Sequence, residues 1–252
     1  MNEAALDTTL AWAVIAAGVA VFISLFFITA PYGRHARGGW GPSINNRLAW
    51  IIMESPSAVA FAIIYALGRN ALAPAPLALA SLWLIHYVHR TFVFPFRMNS
   101  AKRPMPISVA AMAIVFNSIN AYLNARWISE LGNYSTAWFS DPRFVVGTIA
   151  FFSGMYINIQ SDNILFSLRK PGESGYKIPK GGAYRFVSMP NYLGELIEWA
   201  AWAVASWSLA GVAFFVFTFA NLVPRAVANH RWYRETFAEY PKERRAVIPW
   251  LW

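Results

Sequence analysis

Cysteine is absent from the 252 residues, which excludes disulfides, thiolate metal sites and a cysteine nucleophile. Charge is scarce too: 13% of residues are Asp, Glu, Lys or Arg, while 57% are apolar. Soluble domains carry charge on roughly a quarter of their residues, so this composition describes an integral membrane protein. Other signatures are missing as well. No Gly-x-Gly-x-x-Gly follows a strand pattern and no strand–helix alternation appears, which excludes a Rossmann domain. Neither a Gly-x-Ser-x-Gly elbow nor a P-loop is present, which argues against a serine hydrolase or a P-loop nucleotidase. No internal repeat, low-complexity stretch or long linker divides the chain, so residues 1–252 read as a single membrane-embedded domain.

Long apolar runs dominate what is there. A span needs about 20 apolar residues, and such runs cover Thr8 to Ala30, Leu48 to Leu67, Leu72 to Phe96, Pro104 to Ala125 and Phe144 to Leu168. A longer run, Phe186 to Val223, is bounded by Arg185 and Arg225. Basic clusters stay on the cytoplasmic side, so this run must cross twice, with a break expected near Ser206-Trp207-Ser208. The expected fold is all-α, with seven transmembrane helices. Alternate loops carry Arg34, Arg37 and Arg47, then Arg97, Lys102 and Arg103, then Arg169, Lys170, Lys177, Lys180 and Arg185, and finally a basic tail. The other side holds Arg69, Arg126 and Arg143. This asymmetry puts the N-terminus outside and the C-terminus in the cytosol. Met1 to Asp7 is acidic and the run after it is too long for a signal peptide, so the first helix is expected to stay. The net charge of +9 belongs to these loops and not to nucleic-acid binding.

Polar groups at membrane depth carry the functional signal. Asn191, Glu195 and Glu198 stand at i, i+4 and i+7, so one helical face holds all three and reads as a pocket wall. Gly194 beside them admits another backbone or a flat ligand. Glu54, followed by Pro56, is the one charge in the second span, and Tyr87 shares a face with Arg90 in the third. Glu54 with Tyr87 forms either an acid pair that polarises a carbonyl or helix-to-helix glue. His86 and His89 have His-x-x-His spacing without a further ligand to complete a metal set. Asn158, Asp162 and Arg169 share a face near the cytosolic end, and the tail adds Arg225, His230, Arg231 and Tyr233. Such a mixture suits a dinucleotide; the alternative is a basic cytoplasmic face that holds anionic lipid. The Gly- and Pro-rich loop from Arg169 to Gly182 is either a segment closing over an anion or a solvated turn.

The chain resembles the steroid 5α-reductase family of membrane 3-oxo-steroid reductases. The resemblance is seen in Pro31-Tyr32-Gly33, Glu54-Ser55-Pro56-Ser57 and His86-Tyr87-Val88-His89-Arg90-Thr91-Phe92-Val93. It continues in Gly154-Met155-Tyr156-Ile157-Asn158-Ile159, Ser161-Asp162, Leu168-Arg169-Lys170-Pro171-Gly172-Glu173 and Asn191-Tyr192-Leu193-Gly194-Glu195, and in the tail. It implies a seven-helix fold with NADPH among the helices, held mainly by the part from about 140 to 252. It implies cofactor contacts at Asn99, Arg103, Asn158, Asp162, Arg169, Tyr176, Asn191, Glu195, Arg225, His230 and Tyr233, and catalysis by Glu54 and Tyr87. The implied substrate is a steroid or related lipid enone, met by a monomer in a bacterial inner membrane or the endoplasmic reticulum. Two departures stand out. Met53 replaces a Gln of well-known relatives, and Ala228 and Asn229 stand where some members carry further histidines. Competing readings are an isoprenylcysteine-type methyltransferase using S-adenosylmethionine and a seven-helix receptor or transporter.

Overall fold

The apolar runs form helices in the computed structural model, which describes residues 2–31, 33–98, 104–169, 173 and 175–251. In chain order, α1 covers Glu3–Phe27, β1 Ser43–Asn45, α2 Asn46–Ala66, α3 Pro74–Arg97, β2 Pro104–Pro106, α4 Ile107–Leu131 and α5 Pro142–Ser167. The longest apolar run divides where expected, into α6 (Pro190–Ser206) and α7 (Leu209–Thr236). Trp207 turns the chain at φ 44°, and the Ser208 side chain caps α7 by accepting from the Gly211 N–H. Among the described residues, six helices, α1 to α5 and α7, are long and apolar enough to cross a membrane. With 17 residues, α6 is shorter; it lies largely buried against α5 and α7.

The two strands were not expected. They pair antiparallel, Ser43 opposite Pro106, and at three residues each they offer no alternation to read. They tie the starts of α2 and α4 together, and Asn45 then caps α2 by accepting from the Arg47 and Leu48 amides.

Three helices widen into π-type turns, at Pro56–Ala60 in α2, His89–Val93 in α3 and Trp127–Leu131 in α4. In α2 the cause is Pro56, which has no N–H for the helical ladder. Such bulges concentrate at functional sites. The first closely follows Glu54, and the second contains Arg90.

Glycine sets the spacing of α5 and α6. A Cβ on Gly154 would lie 2.6 Å from the Glu198 nitrogen and the Gly194 oxygen, and one on Gly194 would lie 2.5 Å from the Asn158 nitrogen. The gap beside Gly194 is therefore filled by the α5 backbone, of the two occupants its size allowed. This close approach sets Asn158 and Asp162 against Asn191 and Glu195. Buried aromatics fill the centre: the Trp83 ring lies 4.7 Å from Phe61, 5.6 Å from Trp199 and 5.3 Å from Trp202. The tail returns beside the segment leading into α6, where the Ser188 and Met189 amides donate to the Arg245 and Ala246 carbonyls at 2.8 and 3.1 Å.

Candidate active site

Arg90 is the hub of a buried polar layer. Its Nη2 lies 3.0 Å from Glu195 Oε1 and its Nη1 3.8 Å from Asp162 Oδ2. The Trp50 and Phe94 rings cover its guanidinium at 4.6 and 4.3 Å. Asn158 Nδ2 donates to Glu195 Oε1 at 3.1 Å and to the Asn191 carbonyl at 3.0 Å, and Asn191 Nδ2 donates to Asp162 Oδ1 at 3.1 Å. One cation, two carboxylates and two amides thus answer one another where water is scarce, which makes the burial tolerable.

Above this layer opens a cavity of about 250 Å³ whose walls include Asp162, Arg169, Tyr176, Asn191, Arg225 and Tyr233. Arg34 also faces it and sits in an aromatic cage, with the Tyr176, Trp232 and Tyr233 rings 5.2, 4.6 and 4.5 Å from its guanidinium carbon. His35 Nε2 lies 3.3 Å from Asn229 Oδ1. Burial holds the His35 imidazole below its usual pKa, against the opposing pull of Asn229. Three buried atoms on this wall, Asp162 Oδ2, Asn191 Oδ1 and Arg34 Nη1, have no hydrogen-bond partner among the described residues.

Residues 103–252 match the family described as 3-oxo-5-alpha-steroid 4-dehydrogenase. The chain is 47% identical over 250 residues to steroid 5-alpha-reductase DET2 of Arabidopsis thaliana, covering 94% of each. It is 43% identical over 257 residues to 3-oxo-5-alpha-steroid 4-dehydrogenase 1 of Bos taurus, covering 100% of this chain and 99% of the relative. For the Homo sapiens protein of the same name the values are 43% over 252 residues, covering 99% and 96%. The chain belongs to the 3-oxo-5-alpha-steroid 4-dehydrogenase family. It is an oxidoreductase acting on a CH–CH bond.

The structure spreads the residues singled out in the sequence over several settings. Six of those implied for the cofactor line the cavity, and Asn158 and Glu195 lie in the polar layer one helical turn deeper. His230 is not among the cavity-lining residues: its Nδ1 lies 2.6 Å from Ser188 Oγ, which also meets the Tyr240 hydroxyl at 2.6 Å. Asn99 and Arg103 lie outside the described residues. Glu54 is half-buried, 3.4 Å from Asn117 Nδ2, which makes its shorter bond of 2.6 Å to the Met53 carbonyl. Met53 itself packs with Ala49, Met105 and Ala110. Tyr87 is buried between the Trp83 and Trp199 rings, at 4.9 and 5.6 Å. Among the described residues no hydrogen bond joins Glu54 to Tyr87.

Glu198 departs from the expected pocket wall. It is 0% exposed and its Oε1 lies 2.7 Å from His86 Nδ1, so it faces α3 instead of the cavity. Sequence reasoning also missed Arg34, Trp50 and the central place of Arg90. The one available signal was Arg90 itself, a guanidinium inside an apolar run, which has to be matched by carboxylates on other helices.

Proposed function

We propose that this family member reduces the 4,5 double bond of a 3-oxo-4-ene steroid with NADPH. The setting is a seven-helix membrane bundle, N-terminus outside and C-terminus in the cytosol, with α6 as the enclosed seventh crossing. The substrate half of the reading rests on the relatives, which are named as steroid 5-alpha-reductases and 3-oxo-5-alpha-steroid 4-dehydrogenases. The cofactor half rests on one observation: on a single cavity wall Asp162 Oδ2, Asn191 Oδ1 and Arg34 Nη1 lack a hydrogen-bond partner among the described residues, the Asp162 atom having only the long ion-pair contact of 3.8 Å to Arg90. Each such buried atom costs about 1–3 kcal/mol when unpaired. A ligand carrying hydroxyl and amide donors together with anionic groups would satisfy all three, and NADPH carries that set.

In this reading Arg34, Arg169 and Arg225 hold phosphates, Asp162 accepts from a ribose hydroxyl and Asn191 accepts from the carboxamide. Tyr176 and Tyr233 supply flat walls, and Asn158 and Glu195 fix Asn191 and Arg90 from below. Asn99, Arg103 and His230 are added by the resemblance. Ligands of drug size occupy roughly 300–1,000 Å³, so a dinucleotide would extend past the cavity. An adjoining groove of about 410 Å³ along Lys177, Ile178, Lys180, Phe237, Glu239 and Pro241 shares the Tyr176 wall.

The same helices carry the chemistry deeper. Trp50 lines the cavity and Glu54 follows one turn on; Arg90 lies in the polar layer and Tyr87 precedes it by a turn. The two steps, of four and three residues, are about 6 and about 4.5 Å along a helix axis. Tyr87, oriented by Glu54, donates a hydrogen bond to the 3-keto oxygen and stabilises the enolate as charge develops there. The contact between the two closes when the enone binds, as catalytic hydrogen bonds often do. NADPH held by these residues would supply the hydride that C5 receives. C4 then takes a proton from water.

Turnover of testosterone by purified Tyr87→Phe enzyme tests this assignment. The expected result is a loss of about a hundredfold or more in rate with NADPH binding retained. Full turnover would overturn it.

A further inference from the structure

The reaction as proposed leaves one buried titratable pair without a task. Glu198 on α6 and His86 on α3 meet at 2.7 Å, and Glu198 Oε2 has no partner among the described residues. Among the described residues the Glu198 carboxyl therefore bonds the imidazole alone. Burying such a pair is weak evidence for stability, because desolvation offsets most of the attraction. Its surroundings give it another use. The His86 ring stands edge-on to Trp199 at 4.5 Å and to Tyr87 at 5.0 Å. Tyr87 in turn lies nearly parallel to Trp199 at 5.6 Å and 27°. Consecutive helical residues normally point to different sides, yet here one tryptophan gathers both rings. At Glu198 itself α6 already lies close against the α5 backbone, since a Cβ added to Gly154 would come within 2.6 Å of the Glu198 nitrogen.

We propose that Glu198, His86 and Trp199 are positioning residues for Tyr87: the carboxylate fixes the imidazole, and the imidazole and indole together fix the phenol ring that addresses the substrate carbonyl. This rests on the reading of Tyr87 given above. A phenol free to tilt would miss the carbonyl oxygen, and a misplacement of about 1 Å costs on the order of a hundredfold in rate. Loosening through a neighbouring group is expected to cost about tenfold. Cofactor binding should not change, since Asp162, Asn191 and Arg34 are untouched.

The test is a double-mutant cycle on purified enzyme, measuring kcat per folded molecule with testosterone and NADPH, and NADPH affinity by fluorescence. His86→Leu and Glu198→Gln should each lower kcat about tenfold while NADPH affinity stays as in the parent. His86→Asn, whose amide nitrogen occupies roughly the Nδ1 position, should recover part of that loss by keeping the bond to Glu198. In a Tyr87→Phe background the same changes should have no further effect on kcat. If His86→Leu does not fold, Glu198→Gln and Trp199→Phe carry the same comparison. Losses that persist undiminished in the Tyr87→Phe background, or variants that retain full kcat, would overturn the positioning role. A Tyr87→Phe enzyme with full turnover would overturn the reading beneath it as well, so the two failures are distinct.

Discussion

Arg90 Nη2 and Glu195 Oε1 lie 3.0 Å apart and join α3 to α6 beneath the cavity. Removing one partner of a buried pair leaves the other charge uncompensated, at about 3–5 kcal/mol. Arg90→Leu should therefore lower the thermal unfolding midpoint in detergent far more than Arg69→Leu does, Arg69 being the exposed partner of Glu130. Equal shifts for the two would mean that the central layer is not a connected network.

The helix spacing at Gly154 gives a second expectation. A Cβ there would meet backbone atoms of α6 at 2.6 Å, and backbone cannot yield as a side-chain tip can. Gly154→Ala should cost about 1–3 kcal/mol and disturb both Glu198 and Asn158. At Gly38, nothing lies within 4 Å of an added Cβ, so Gly38→Ala should leave the melting temperature nearly unchanged. Two indistinguishable melting curves would contradict the packing argument.

These two features show what the sequence could and could not convey. Run lengths and loop charges located the helices, and two serines flanking a tryptophan located the break between α6 and α7, because hydrophobic thickness and charge sidedness are properties of one segment at a time. Periodicity likewise put Asn191, Glu195 and Glu198 on one face. It could not say that the three stand at different depths beside different neighbours: Asn191 at the cavity, Glu195 at Arg90, Glu198 at His86. Partner choice is set by packing between helices, which no single helix encodes. For the same reason His230 could be picked out as polar, but not as the partner of Ser188.

Asp7 is 1% exposed in α1, and neither carboxylate oxygen has a hydrogen-bond partner among the described residues. Replacing such a group by an apolar side chain removes a desolvation cost of about 1–3 kcal/mol. Asp7→Leu should raise the unfolding midpoint without changing turnover. A lower midpoint would reveal a partner for the carboxyl.

The pH dependence of stability should involve His35. Its imidazole is held below the usual value by burial, so the folded protein favours the neutral form. The unfolded chain therefore binds more protons below about pH 6.5. The contribution is fully present above that pH and is lost as pH falls through it toward the lower folded value. Acidifying from about pH 7.5 to about pH 5.5 should lower the melting temperature of the parent more than that of His35→Gln. The same drop in both would show that His35 carries no such linkage.

Seating of NADPH in the cavity, with hydride delivery to the enone that Tyr87 addresses, is tested most directly by isotope transfer. Purified protein is given a 3-oxo-4-ene steroid and NADPH deuterated at the transferable position, and the product is analysed by mass spectrometry and NMR. The predicted result is one deuterium at C5 of the saturated ketone, formed in step with NADPH oxidation and abolished in an Asp162→Ala, Asn191→Ala variant. A saturated product lacking the label, or labelled product undiminished in that variant, would contradict the claim.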